Sequence, residues 1–206
     1  MKGIVFSELL EMTEEVFGQQ MLQKVIEKAE LSNNGVYVSA GNYPFSELAR
    51  IVSTLSAETN KPAEFLLEEY GKYLFQKMSI KYAALFDKIP DPISFLSKID
   101  NYIHVEVHKL YPGAETPRFI IIEQDEKHII MDYISSRGLD YLAIGMIKGC
   151  STHYKVPLDI RTEKNNDEHN STRFFVYVSE KVGSGRAADP GHRNKGVWAW
   201  LKRLFS

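Results

Sequence analysis

Cysteine is nearly absent: Cys150 is the sole one in 206 residues. That excludes an internal disulfide framework and any multi-cysteine zinc or iron–sulfur site. It also fits a reducing compartment. No apolar run approaches the ~18 residues that a membrane-spanning helix requires. The opening Met1-Lys2-Gly3-Ile4-Val5-Phe6-Ser7-Glu8 turns acidic before the apolar stretch of a signal peptide can form. A cytoplasmic location is therefore expected. Without a secretory leader, the acceptor pattern Asn170-Ser171-Thr172 reads as a polar hairpin turn. Charge of one sign is also lacking. The net charge is −2, with 25% charged residues, so no overall nucleic-acid signature is present. Internal repeats and low-complexity segments are missing as well. What remains is 44% hydrophobic, enough for one domain with a substantial core.

The first half reads as helical. Val5, Phe6, Leu9, Leu10, Thr13, Val16 and Phe17 approximate one apolar stripe, with Gly18 as a stop. Met21, Leu22, Val25, Ile26 and Ala29 continue it in a second helix, and Asn33-Asn34-Gly35 signals a turn. Ser46 is expected to cap a helix carrying Leu48, Ile51, Val52 and Leu55. Pro62 suits the first turn of the next, which carries Phe65, Leu66, Tyr70, Tyr73, Leu74 and Met78. Pro90 and Pro92 break the pattern, and one further helix is expected over 94–110.

The second half changes period. Phe119–Glu123 and His128–Ser136 read as strands around the turn Asp125-Glu126-Lys127. Leu139–Cys150 looks helical. Leu158–Thr162 and Arg173–Ser179 read as two more strands joined by the polar run 165–171. Helices first, then an antiparallel sheet with an inserted helix, is an α+β architecture. A domain is expected over 1–181, followed by a linker and a short tail over 182–206. The tail holds both tryptophans, Trp198 and Trp200. Its five basic side chains and single Asp189 give a net +4, leaving about −6 on the rest. A basic, aromatic, amphipathic end suits a membrane surface or a partner groove; packing on its own domain or an unstructured end are equally open.

The chemistry concentrates in Met131-Asp132-Tyr133-Ile134-Ser135-Ser136-Arg137. In an extended strand Tyr133, Ser135 and Arg137 point to one face. Two hydroxyls and a guanidinium then converge as a fork suited to carboxylates or phosphates. The bland alternative is a strand at a sheet edge that alternates polar and apolar side chains. Upstream, His104 lies in a helix-like apolar stretch, and neutral imidazole is a common iron or zinc ligand. His108, one turn on, allows a zinc pair, but no third ligand is evident. A metal on one side and anionic arms on the other describe haem.

The chain resembles the haem nitric oxide/oxygen-binding (H-NOX) family, which includes the sensor domain of soluble guanylate cyclase. The resemblance rests on His104, Pro117 and Tyr-x-Ser-x-Arg at 133–137. It is supported by the start Met1-Lys2-Gly3-Ile4-Val5, by Phe17-Gly18 and Tyr70-Gly71, by Tyr111-Pro112-Gly113, and by Gly138-Leu139. It covers roughly residues 1–180 and implies a stand-alone bacterial sensor related to the guanylate cyclase haem domain. It implies that His104 ligates the iron of haem b in its ferrous form. Tyr133, Ser135 and Arg137 hold the propionates, and Pro117 presses on the macrocycle. Val5, Leu9, Leu74, Phe75, Met78, Leu142 and Met146 lie on the gas-binding face.

Oxygen-binding members carry a distal tyrosine; by register from Arg137 that position is Leu142 here. Tyr141 is adjacent, but one helical residue turns the side chain by about 100°. The resemblance therefore implies a non-enzymatic sensor that binds nitric oxide, with carbon monoxide as a second gas. It would signal by release of His104 to a histidine kinase or a cyclic-di-GMP enzyme, with the tail as a partner or inner-membrane contact. Some bacterial relatives bind zinc through cysteines and a histidine in the C-terminal half; with Cys150 alone, that site is not expected. An oxygen-binding haem protein and a zinc-dependent enzyme are the rival readings.

Overall fold

The computed structural model describes residues 1–165 and 171–179. The expected boundary at 181, the tail and most of the 165–171 turn lie outside the described residues. The opening stripe forms α1 (Gly3–Phe17), followed by α2 (Gln19–Lys28). Gly18 between them has φ of 88°, a conformation that a side chain disfavours. Next come α3 (Phe45–Thr59) and α4 (Ala63–Lys81). The expected cap at Ser46 is not made. Pro44, with φ of −63°, sets the entry two residues earlier, and Ser46 falls inside the helix with no side-chain cap at its start. Pro62 likewise stands just before the first helical residue, Ala63.

The single helix expected over 94–110 is a composite. After α5 (Ala83–Phe86), α6 spans Pro92–Ser97. Pro92 does not break this helix but starts it, beside an Asp91 carboxylate that accepts from the Ser94 amide at 2.8 Å. A π-helical turn, Ile99–Ile103, then intervenes before α7 (His104–Leu110). In it the Ile103 amide reaches back to the Lys98 carbonyl at 3.0 Å. Such wide turns are rare, and they concentrate at functional sites. Neither the π turn nor α7 contains a fully buried residue.

The sheet is β1 (Arg118–Gln124), β2 (His128–Ile134), β3 (Leu158–Lys164) and β4 (Thr172–Val178), all antiparallel, in the order β1-β2-β4-β3. Helix α8 (Asp140–Tyr154) is inserted between β2 and β3. This is the expected α+β arrangement. Register aligns Phe119, Tyr133, Thr172 and Lys164 in one row across all four strands, so their side chains share a face.

Two apolar clusters form the interior. One gathers α1–α4 around Phe6, Leu9, Leu48, Ile51, Leu55 and Tyr70. The other joins the sheet's inner face, Ile129, Met131, Phe174 and Val176, to Phe86, Phe95 and Ile147. Helices α4 and α8 bind them together. Their backbones approach closely because Gly71 and Gly145 face each other. A Cβ on Gly145 would lie 2.0 Å from the Glu68 carbonyl oxygen, and one on Gly71 2.3 Å from that of Leu142. Each larger side chain fully withdrawn from water contributes about 1.5–3 kcal/mol. Among the described residues no helix is long and apolar enough to cross a membrane.

Candidate functional site

His104 opens α7 directly after the π turn. Its Nδ1 lies 2.9 Å from Asp100 Oδ1, one turn back, while Asp100 Oδ2 accepts from the Phe119 amide at 2.8 Å. One carboxylate thus ties the ring to the start of β1. Burial holds the imidazole below its ordinary pKa, although the Asp100 charge opposes this. At neutral pH the ring is therefore uncharged. With Nδ1–H donated to Asp100, Nε2 keeps its lone pair and is the free ligating atom. A ligating histidine is commonly oriented in this way by a carboxylate on its other nitrogen. His108 diverges: it is exposed, and its Nε2 meets Thr116 Oγ1 at 3.2 Å. Among the described residues no group of three or more His, Cys, Asp or Glu side chains is placed to hold a metal.

From His104 a line of rings leads inward. Its ring centroid is 6.1 Å from that of Phe119, which is 5.3 Å from that of Tyr133. Tyr133 opens onto a cavity of about 390 Å³ lined by Ser135, Ser136, Arg137, Gly138, Asp140 and Lys164. The three fork residues do converge here, but not as an extended strand. β2 stops at Ile134, and the Arg137 amide donates to Ser135 Oγ at 3.2 Å. That local bond curls the chain into a turn, completed by Gly138 at φ of 60°. Burial raises the Tyr133 phenol to about 12, so it remains a donor. Arg137 is engaged with the Glu115 carboxylate, and its Nη1 donates to the Glu115 carbonyl at 3.2 Å. The site already presents a guanidinium in contact with a carboxylate, the pairing that an anionic ligand would adopt.

Pro117 lies, half-buried, in the segment joining α7 to β1. That segment also carries Glu115 and Thr116, and its Pro112 carbonyl accepts from buried Lys2 Nζ at 2.7 Å. The remaining residues lie on α1, α4 and α8. Leu9, Leu74 and Leu142 belong to the helical cluster, with Val5 packed against it. Met78 and Met146 touch both clusters, while Phe75 turns to the sheet side, edge-on to Phe86 and Phe95. Leu142 is buried at 9% exposure, whereas Tyr141 is turned outward at 45%. The nearby buried Tyr70 phenol is committed to the Val5 carbonyl.

The haem-NO-binding family matches residues 2–162. The chain belongs to the H-NOX family. Solved relatives agree over nearly their whole lengths. An H-NOX protein from K. algicida, in its Fe(II) unliganded form, is 35% identical with a TM-score of 0.82, covering 90% of this chain and all of that one. The H-NOX from Shewanella woodyi, in the Fe(II)CO state with IWP-051 bound, is 32% identical with a TM-score of 0.77, covering 92% of this chain and 100% of that one. One from S. oneidensis, in the Fe(II)NO state, is 27% identical with a TM-score of 0.80, covering 87% and 100%.

H-NOX proteins are haem-based gas sensors, and the residues present fit that cofactor. A neutral imidazole has an unengaged nitrogen; a polar cavity at the end of the same ring line offers hydroxyl and guanidinium donors; and an apolar seam lies between α4 and α8. Two participants escaped sequence reasoning. Asp100 was visible as the residue four before His104, a spacing at which helical side chains meet. Lys164 was marked only by being charged at an alternate position of a strand whose Leu158 and Ile160 face inward.

Proposed function

We propose that this H-NOX chain senses nitric oxide, with His104 holding the iron and Tyr133, Ser135 and Arg137 holding the propionates. Haem, when bound, would supply a ferrous iron able to take a diatomic gas, with His104 as its protein ligand. The observation that carries nitric oxide over oxygen is Leu142, buried where a donor would be needed, beside a Tyr141 that faces outward. Bound dioxygen draws stability from a hydrogen bond to its partly charged oxygen; nitric oxide depends on one far less. Val5, Leu9, Leu74, Phe75, Met78 and Met146 offer no N–H or O–H in their side chains.

The signal in this reading is the release of His104. Asp100 keeps the ring in one tautomer and orientation while it is bound. Once Nε2 is free, α7 has no buried side chain to hold it, so its position can follow the state of the ring. Pro117 and Glu115, on the adjoining segment, move with it. A two-state surface of that kind suits a separate signalling protein, such as a histidine kinase or a cyclic-di-GMP enzyme. The test is the absorption spectrum of the reduced protein in air and under nitric oxide, beside a His104→Ala variant. A five-coordinate nitrosyl spectrum without a stable oxy form is expected, with loss of histidine coordination in the variant. A stable oxy complex would overturn the selectivity, and normal coordination in the variant would overturn the ligand.

A further inference from the structure

We propose that Lys164 is a second cationic contact for the anionic group held by Tyr133, Ser135 and Arg137, and that Glu115 and Asp140 are the counter-ions the two cations leave when that group enters. This rests on the haem reading above, in which the group is a pair of carboxylate arms.

Four observations support it. Lys164 lines the same cavity as Tyr133, Ser135 and Arg137. The register places it in one row with Tyr133, through Thr172, on the same face of the sheet. Its ammonium is 2.5 Å from Asp140 Oδ2, yet its side chain is 53% exposed, so it is free to swing. Asp140 is not: it is only 16% exposed, and its Oδ1 accepts from Thr172 Oγ1 at 3.0 Å.

Charge then decides the matter. Arg137 and Lys164 each have a resident carboxylate, Glu115 and Asp140, so the cavity rim is balanced as it stands. Two incoming carboxylates need both cations. With Lys164 removed, one guanidinium would face two carboxylates and a fixed Asp140. Glu115 is 76% exposed and leaves readily into water, whereas Asp140 stays. Lys164 therefore exchanges partners without moving its strand, and Arg137 exchanges by releasing Glu115.

The experiment measures the rate at which haem leaves the ferric holoprotein for an excess of apomyoglobin. Variants Lys164→Met, Asp140→Asn, their double and Arg137→Ala are loaded in parallel with haem b or its dimethyl ester, and far-UV circular dichroism confirms that each is folded. Lys164→Met is expected to speed the loss of haem b roughly threefold to fivefold at low salt, less at high salt, as for a partly exposed ion pair. The acceleration should persist in the Asp140→Asn background and vanish with the diester. An equal rate for Asp140→Asn and the double variant would overturn the proposal, leaving Lys164 as a mere counter-ion to Asp140. The same acceleration with the diester would overturn it too, by showing a structural effect. If Arg137→Ala speeds loss and Lys164→Met does not, this inference alone fails. If neither does, the anion fork itself fails.

Discussion

Replacing Asp100 by asparagine isolates the second partner of His104. The carboxylate accepts from two donors on different elements, His104 Nδ1–H at 2.9 Å and the Phe119 amide at 2.8 Å. Asparagine has a single acceptor oxygen, and its NH₂ would meet whichever donor is left over. One charge-assisted bond is lost, and hydrogen bonds to charged groups contribute about 1.5–3 kcal/mol. At about 1.4 kcal/mol per tenfold, histidine ligation should weaken by about 10–100-fold, the range usual for partners of metal-bound histidines. The direction is also set. Without the carboxylate the imidazole is less basic, so the iron–histidine stretch in the reduced protein should fall in frequency, and nitric oxide should displace His104 more readily. Resonance Raman spectroscopy reads the first and stopped-flow absorbance the second. An unchanged stretch and an unchanged displacement rate would refute the reasoning and leave Asp100 as a tie between the π turn and β1.

Three further outcomes are expected. Leu142→Tyr supplies the missing donor and should yield an oxy complex visible in air, at an overpacking cost of about 1–3 kcal/mol in thermal stability; a protein that folds, binds haem and still shows no oxy form would count against the distal assignment. Gly145→Ala drives a Cβ toward the Glu68 carbonyl, 2.0 Å away, and should destabilise the α4–α8 contact by about 1–3 kcal/mol or more in urea unfolding; no loss would show that the helices can separate freely. Glu47→Gln tests the helical cluster. Burial at 2% exposure opposes ionisation of Glu47, but bonds from Ser32 and Tyr37 outweigh it and hold its pKa below the usual value. A depressed carboxylate stabilises the fold above its unfolded pKa, and that contribution is lost as pH falls through the folded value. The variant should therefore be less stable by about 1–3 kcal/mol at neutral pH, with the gap closing below about pH 4; a gap that persists into strong acid would contradict this.

Much of the architecture follows from periodicity that local chemistry sets. The stripe from Val5 to Phe17 ends at Gly18 because only the glycine takes that φ without strain. The departures each have a particular physical origin. Ser46 has the chemistry of a cap, but Pro44 had already fixed the entry. Pro92 looked like a breaker, yet at the first helical position its missing amide costs nothing. Ser135 and Arg137 were expected to converge by strand alternation; they converge because the Ser135 hydroxyl takes the Arg137 amide and turns the chain. Lys164 depends on the pairing of β3 with β4, a long-range fact that no local pattern carries. Leu142 was singled out only through the family resemblance; the structure buries it and exposes the adjacent Tyr141, a contrast in keeping with the turn of about 100° per helical residue.

The π turn before His104 has a consequence for how finely the histidine can be set. A π turn holds one residue more than an α turn. It cannot be partly removed, because each amide bonds to one carbonyl or the next. If the extra residue were passed along the chain, the residues it passed, His104 among them, would rotate by about 100° and shift by about 1.5 Å. If the proposed release of His104 acts through this turn, it does so in whole steps and not along a slope: a weak pull on the ring would give no partial response.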